Sequence, residues 1–267
     1  MERELEAIFS HAVALDQGGR MRNTIFCGGQ TVYILNFDKT VLLRFHLSST
    51  NKTFDQPVAF NANDYDSSKF YEKDGRIIFE KSGAGFDRKK SCAVPGKTYS
   101  EVESLFSRYT VSPTCHSFIE LNKKILELLS EDLSHIEIHT ENRKPVITQR
   151  DIYSGTVTRL TRQPQSGLRL TAVPDTISED IGPVGLRTND LAALFNFNEN
   201  IRLGFSSDAG YCTVQGMNST MAGIIAFCLY DELGTIQEVP IDGGQIKEKR
   251  ASVTGVNRSS CKTRSKV

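Results

Sequence analysis

The most informative stretch of this chain reads PVGLRTNDLAALFNFNENIRLGFSSDAGYCTVQGMNSTMAGIIAFCLYDEL and runs from Pro183 to Leu233. Apolar residues alternate with other residues from Val184 onwards, which predicts a strand. Leucines at helical spacing follow a Thr188/Asn189 cap and predict a short helix. Three more strands are predicted over 201–205, 211–215 and 223–230, the last as a continuous apolar run typical of a buried strand.

An earlier stretch repeats this unit: Pro57 to Ser91 reads PVAFNANDYDSSKFYEKDGRIIFEKSGAGFDRKKS. Its Asn63-Asp64 pair matches Asn189-Asp190, and Phe79 follows the first pair at the same distance as Phe205 follows the second. The sequence therefore predicts a duplicated module. The predicted fold class is α+β, built from duplicated β-α-βββ modules.

The repeat divides the 267 residues into four segments. A chain of this length is expected to form about two modules. The predicted boundaries are a first module at 1–95, an inter-domain connector at 96–116, a second module at 117–234 and a disordered basic tail at 235–267. The tail prediction rests on lost periodicity and on seven basic against three acidic residues. Extra contacts with phosphates are one role that suits such a tail.

Each module is predicted to combine one long helix with several strands. Amphipathic patterns predict helices over 2–15 and 122–133, the second capped by Asn122. Period-two patterns predict strands over 24–27, 31–37, 41–47, 117–121, 135–140, 145–149 and 155–160.

The connector is predicted to contain a helix of its own. Thr98 and Glu101 have the spacing of a capping box, and an apolar face follows over 102–109. We expect most of this face to dock on the sheet of the second module.

Composition excludes several classes of protein. The formal net charge is zero, so the chain as a whole does not indicate binding to nucleic acid or to a membrane. No apolar run approaches 18 residues, and the first residues lack a signal-peptide pattern. The six cysteines are scattered without CxxC pairs, which is typical of reduced thiols. We therefore expect a cytoplasmic protein (host cytoplasm if viral) without membrane contact.

No catalytic constellation is apparent, and we expect a non-enzyme without cofactor or metal. The chain contains no P-loop, no GxSxG and no HExxH pattern. His135 and His139 lie on one face of a predicted strand, but two histidines without a third ligand are more often ordinary strand residues. The Asn-Asp pairs ending at Asp64 and Asp190 are most simply helix starts.

The order of elements resembles the sliding-clamp (PCNA-like) family of DNA polymerase processivity factors. The resemblance is carried by the predicted helices at 2–15 and 122–133, the two repeated units, the connector and the apolar strand at 223–230. It implies a ring of six modules, hence a homotrimer for a two-module chain, of the type that phages, archaea and eukaryotes use. Such a ring encircles duplex DNA without reading its sequence and tethers a DNA polymerase or another DNA enzyme. The style of the chain suggests a phage or other viral clamp.

In this family the helices that line the hole carry basic residues, which contact phosphates. The resemblance directs attention to basic residues on or near the predicted helices and on the strands of the second module. For any single one, a solvated surface position is the commoner explanation. The predicted DNA-binding residues are Lys69, Lys73, Lys123, Lys124, Arg187, Arg20, Arg22 and Arg150.

The resemblance also implies a hydrophobic groove beneath the connector that receives a short peptide from client proteins. Because the last strand ends near this groove in such folds, we expect Leu229, Tyr230 and Leu233 to form its floor. The alternative function is a non-catalytic structural or assembly protein, such as a virion component, built from the same duplicated module. Basic residues facing the hole favour the clamp, and an acidic or neutral inner face favours the alternative.

Overall fold

The computed structural model describes residues 3–15, 23–47, 53–62, 70–74, 76–79, 98–111, 115–128, 135–150, 157–160, 171–177, 179–206, 209–217, 219–230, 236–238 and 247–248. The first module begins with an α-helix and continues with strands. Its elements are α1 (Arg3–Ala14), β1 (Thr24–Gly29), β2 (Thr31–Leu35), β3 (Val41–His46), β4 (Thr53–Asn61), β5 (Phe70–Lys73) and β6 (Arg76–Phe79).

The connector helix and the second module follow. Their elements are α2 (Tyr99–Val111), β7 (Ser117–Asn122), a 3-10 helix (Lys123–Leu128), β8 (His135–Glu141), β9 (Lys144–Arg150), β10 (Val157–Leu160), β11 (Thr171–Ile177), β12 (Val184–Arg187), α3 (Thr188–Leu194), β13 (Asn200–Phe205), β14 (Tyr211–Gly216), β15 (Met221–Ala226), β16 (Cys228–Tyr230), β17 (Ile236–Glu238) and β18 (Lys247–Glu248).

The strands form two sheets that contain the same four-strand unit. The larger sheet has the order β11-β7-β13-β14-β15-β3-β2-β1-β4-β6-β5, and the smaller has the order β10-β9-β8-β12-β16-β17-β18. The run β3-β2-β1-β4 of the first module corresponds to β10-β9-β8-β12 of the second, and every neighbouring pair within both runs is antiparallel. The duplicated α+β fold predicted from the sequence is confirmed.

In the part of the chain that the structure describes, one pair of strands joins the two modules. Strand β15 of the second module pairs antiparallel with β3 of the first, and Gly223 lies opposite Leu43. We call this pair the seam. A single cluster of buried apolar residues, which includes Phe9 and Phe60 of the first module and Leu203 and Phe205 of the second, extends across it.

Helix α2 covers one face of the seam. The predicted capping box is present: the Thr98 amide donates to a Glu101 carboxylate oxygen at 2.6 Å, and the Glu101 amide donates to the Thr98 hydroxyl at 3.4 Å. Phe106 of α2 is buried against Tyr33 of the first module and belongs to the same cluster as Ile224 of the second. The expectation that α2 docks mainly on the second module is wrong, because its apolar face bridges both modules.

Two predicted helix starts have different outcomes. Asn122 caps the next helix as predicted, because its side-chain oxygen accepts from the Lys124 amide at 2.9 Å. That helix is a 3-10 helix over Lys123–Leu128, and the rest of the predicted segment 129–133 lies outside the described residues. The predicted cap of α3 is wrong: the N-cap is Arg187, and it makes no side-chain capping hydrogen bond.

The apolar run at 223–230 is also divided differently from the prediction. It forms two strands, β15 in the larger sheet and β16 in the smaller one, with Phe227 between them. The Phe227 amide still donates to the carbonyl of Gly210 at 2.8 Å, next to the Tyr211–Ala226 pair of the larger sheet, so the chain changes sheets after this residue. A uniformly apolar run cannot reveal this change, since both sheets bury their strands against the same core.

Two further predictions differ from the structure. Lys73 ends strand β5 opposite Arg76 and does not lie on the helix expected after the start at Asp64. The segment predicted as a disordered tail contains β17, which pairs with β16, and β18, which pairs with β17. The remainder of 235–267 lies outside the described residues.

Candidate functional site

Polar contacts between the modules fix their relative position beside the seam. The Arg187 guanidinium contacts the Asp38 carboxylate at 2.6 Å, and both side chains are mostly buried. The Thr40 hydroxyl donates to the Asp190 carboxylate at 2.8 Å. Asn36 holds the turn before β3, because its side-chain oxygen accepts from the amides of Thr40 and Val41 at 2.8 Å. Asp190, expected only to start a helix, is instead a buried link between modules.

The ion pair bears on the prediction that Arg187 binds DNA. Its side chain is only 16 % exposed, and its guanidinium is engaged by Asp38. An arginine in this position stabilises the joint between modules and is poorly placed to reach a phosphate in solvent. We therefore leave Arg187 out of the DNA-contact set proposed below.

Three of the predicted lysines lie on the surface. Lys73, Lys123 and Lys124 are exposed. Lys123 and Lys124 begin the 3-10 helix, beside a shallow depression of about 290 Å³ that Glu127 and Glu199 also line. The local charge is therefore mixed. Arg150 ends strand β9, and its side chain, together with Lys69, Arg20 and Arg22, lies outside the described residues.

A cavity of about 310 Å³ opens at the end of the second module where the connector enters β7. Its apolar wall includes Ile181, Phe205 and Phe227, and the rings of Phe205 and Phe227 stack at 6.3 Å. Two carboxylates, Glu179 and Asp180, stand at its rim and are exposed. We call this site the rim cavity. An apolar pocket with a few polar groups at its edge is the usual form of a site that receives a side chain from a partner.

Hydrogen bonds to the neighbouring strands hold the rim in place. The Ser117 hydroxyl donates to the carbonyl of Glu179 at 2.9 Å. A carboxylate oxygen of Asp180 accepts from the Thr140 hydroxyl at 2.9 Å and from the Arg143 amide at 3.1 Å. Since Asp180 carries this structural role, the Glu179 carboxylate is the rim charge that can vary without disturbing the loop.

The predicted partner-binding residues lie next to the rim cavity in the chain. Leu229 and Tyr230 belong to β16, which begins directly after the wall residue Phe227. Their side chains, and Leu233 altogether, lie outside the described residues. The wall residues themselves were missed, because they come from four separate elements between 116 and 227. The acidic pair Glu179-Asp180 ahead of Gly182-Pro183 was the one local signal available.

Burial shields several thiols and phenols in the described part of the chain. Burial raises the pKa of the Cys27 and Cys212 thiols, both of which are free, so these thiols stay protonated at neutral pH. Burial also raises the pKa of Tyr211 to about 12, and the Tyr211 hydroxyl donates to the carbonyl of Tyr109 at 2.8 Å. Within the described ranges, no three histidine, cysteine or carboxylate side chains are grouped so that they could hold a metal ion. None of the helices that the structure describes is long and apolar enough to cross a bilayer.

Comparison with known proteins shows the fold. No protein-family model matches the sequence, and no curated protein sequence matches it. Solved structures do match. The Helicobacter pylori beta clamp bound to a DNA ligase peptide is 12% identical, with 84% of this chain and 63% of that chain covered and a TM-score of 0.52. The beta chain of DNA polymerase III from Streptococcus pneumoniae is 11% identical, with 84% and 62% covered and a TM-score of 0.50.

A third structure, the beta subunit of DNA polymerase from Streptococcus pyogenes, is 10% identical, with 84% and 63% covered and a TM-score of 0.50. The likeness extends over most of this chain, which has the DNA sliding-clamp fold. The chain spans about three-fifths of the length of the clamp chains that it matches.

Proposed function

From its sliding-clamp fold we propose that this chain is a processivity factor whose ring encircles duplex DNA and tethers a DNA polymerase or another DNA enzyme. The observation that carries the proposal is the repeated four-strand unit joined through the seam. Such a factor acts by binding alone and needs no catalytic residue. Its chemistry consists of non-specific phosphate contacts inside the ring and a docking site for partners outside it.

The seam supports a closed ring. One edge of β3 pairs with β15. Its counterpart in the second module, β10, is instead the outermost strand of the smaller sheet in the described part of the chain. An open edge favours pairing with another chain, and head-to-tail pairing closes a ring when the rotation allows. Three chains of two modules would give pseudo-sixfold symmetry.

Light scattering tests this assembly directly. We expect a particle with three times the 29.7 kDa mass of one chain. A monomer at tens of micromolar, with or without duplex DNA, would contradict the trimer. A trimer that has no effect on DNA synthesis and no affinity for DNA would favour the alternative of a structural or assembly protein.

Lys123 and Lys124 are the best supported DNA contacts, because both are exposed at the start of one helix. Removing one lysine–phosphate contact lowers the slope of log affinity against log salt by about 0.9. The Lys123→Glu/Lys124→Glu variant should therefore lose about two units of slope per chain, together with processive primer extension on a long template. The exposed pair Arg143 and Lys144, at the β8–β9 turn, provides the matched control: reversing both charges should leave the slope nearly unchanged.

The rim cavity is the proposed docking site for client peptides. Its apolar wall suits an aromatic or aliphatic anchor, and the half-buried Ser206 lines it. Peptides selected by display on the wild-type chain should lose affinity for the Ser206→Trp variant, in which the new ring fills the cavity. The Tyr230→Ala/Leu233→Ala variant should lose client binding and keep the oligomer. Equal affinity for all three chains would place the docking site elsewhere.

A further inference from the structure

Residues 249–267 are basic, whereas the rest of the chain is acidic. Residues 249–267 contain six basic and no acidic side chains, although the whole sequence has 32 of each sign. The preceding 248 residues therefore carry a net charge of −6. A basic segment attached to an acidic body is attracted to that body wherever carboxylates are exposed.

The rim cavity is such a place. Among the described residues that line it, Glu179 and Asp180 are the only carboxylates, and none is a lysine or arginine. An apolar wall with an acidic rim suits a segment in which apolar residues are flanked by basic ones. Residues 249–267 have this pattern, with Val253 and Val256 between Arg250 and Arg258.

The segment starts close enough to reach the cavity. Val184 of β12 lines the cavity, and β12, β16, β17 and β18 are successive neighbours in one sheet. Three strand spacings amount to about 15 Å. A random-coil chain as long as 249–267 has a root-mean-square reach of roughly 24 Å. The segment can therefore cover the distance without full extension.

We propose that residues 249–267 bind back into the rim cavity and compete there with client peptides. Basic side chains pair with the rim carboxylates, and valine side chains contact the apolar wall. Tethering gives the segment an effective concentration of roughly millimolar order, so an intrinsically weak interaction is enough to fill the site partly. A client peptide with a larger apolar anchor displaces it. The competition rests on the proposed function, whereas occupancy of the cavity does not.

Disulfide trapping in the full chain tests the occupancy, because the segment carries its own thiol at Cys261. Ala209 lines the cavity and is half-buried, so the Ala209→Cys variant places a partner thiol there. Lys124→Cys, after the opposite end of β7, is the control. Under mild oxidation, mass spectrometry should detect the link from position 209 to Cys261 at least about five times as often as the link from position 124, because binding in the cavity adds to the effective concentration that the tether alone gives at both positions.

A Cys261→Ser change should abolish the signal, and Glu179→Gln should lower it. Equal trapping at positions 209 and 124 would overturn the proposal. Trapping at position 209 should also weaken when all six basic residues of the segment are changed to Gln. Equal trapping with the native and the six-Gln segment would likewise overturn the proposal. If the segment instead contacts duplex DNA, the six-Gln variant will lose DNA affinity and the trapping will show no preference for the cavity, which also overturns the proposal.

Competition has its own readout. With the six basic residues changed to Gln, the affinity for a displayed client peptide should rise about 2–10-fold, as expected when a tethered competitor at millimolar effective concentration is removed. Trapping requires neither DNA nor a client. Its failure therefore leaves the clamp proposal intact, and a failure of the clamp proposal leaves the trapping result intact.

Discussion

Replacing Gly223 by alanine should weaken the seam between the modules. Gly223 lies on β15 opposite Leu43 of β3. A Cβ atom at this position would lie 2.5 Å from the Cδ2 atom of Leu43 and 3.0 Å from the carbonyl oxygen of Leu42. Leu43 is fully buried, so its side chain has little space into which to rotate. The Leu42 oxygen is backbone in the strand that forms the seam and can move only if the strands separate slightly.

Two effects of opposite sign decide the magnitude. Overpacking a buried site costs about 1–3 kcal/mol. The lower entropy of an unfolded chain with alanine in place of glycine recovers about 0.4–1 kcal/mol. The net destabilisation is then about 1–2 kcal/mol, which lowers Tm by about 2–8 °C in a protein of this size. In the Gly182→Ala control, only the lower entropy of the unfolded chain changes the stability, because no atom lies within 4 Å of the Cβ position.

Thermal and urea unfolding of the two variants provide the comparison. We expect Gly223→Ala to unfold at lower temperature than wild type and Gly182→Ala to unfold at the same temperature or slightly above it. Amide hydrogen exchange should quicken in β3 and β15 of the Gly223→Ala variant. Equal stability of the two variants would refute the inference that close approach at Gly223 determines how tightly the modules pack.

Three further predictions concern single contacts. Thr40→Val removes the donor to the buried Asp190 carboxylate, so it should cost about 1.5–3 kcal/mol in urea unfolding, while the same change at the half-buried Thr53 should cost under about 0.5 kcal/mol. Thr98→Ala deletes half of the capping box of α2; a loss of about 1 kcal/mol is expected, and no change in helix content or stability would show that the cap is dispensable. Burial, with the nearby Tyr99 and Glu103, raises the pKa of Tyr33 to about 12. The folded state therefore holds this proton more tightly than the unfolded state, whose tyrosine pKa is about 10, and stability should fall as the pH rises from about 10 to 12, less steeply in Tyr33→Phe.

Local patterns predicted most of the elements correctly. Strands β1 to β3 and β7 begin and end within a few residues of the predicted bounds, because alternating burial is written into short stretches of sequence. The capping box at Thr98 was predicted because both partners lie within one turn. The duplication was visible because two copies of one unit keep similar residues at similar spacing.

Predictions failed where a side chain contacts a residue that is distant in the sequence. Asp190 has the position of a helix-start residue, yet its carboxylate accepts a hydrogen bond from Thr40, far away in the sequence. Arg187 has the appearance of a surface base, yet it pairs with Asp38 across the seam. The apolar face of α2 predicted burial correctly but could not reveal that the buried surface spans two modules.

The module, its duplication and the helices and strands within each copy are therefore legible in the amino-acid sequence, since these depend on spacing over a few residues. The folded chain alone determines how the copies join, which charged residues pair at the joint and where the rim cavity opens. These features arise from contacts between residues that are distant in the chain, such as β3 with β15 and Ser117 with Glu179. Contacts of this kind leave no periodic trace in one sequence, because their geometry is fixed only when the sheets pack around a common core.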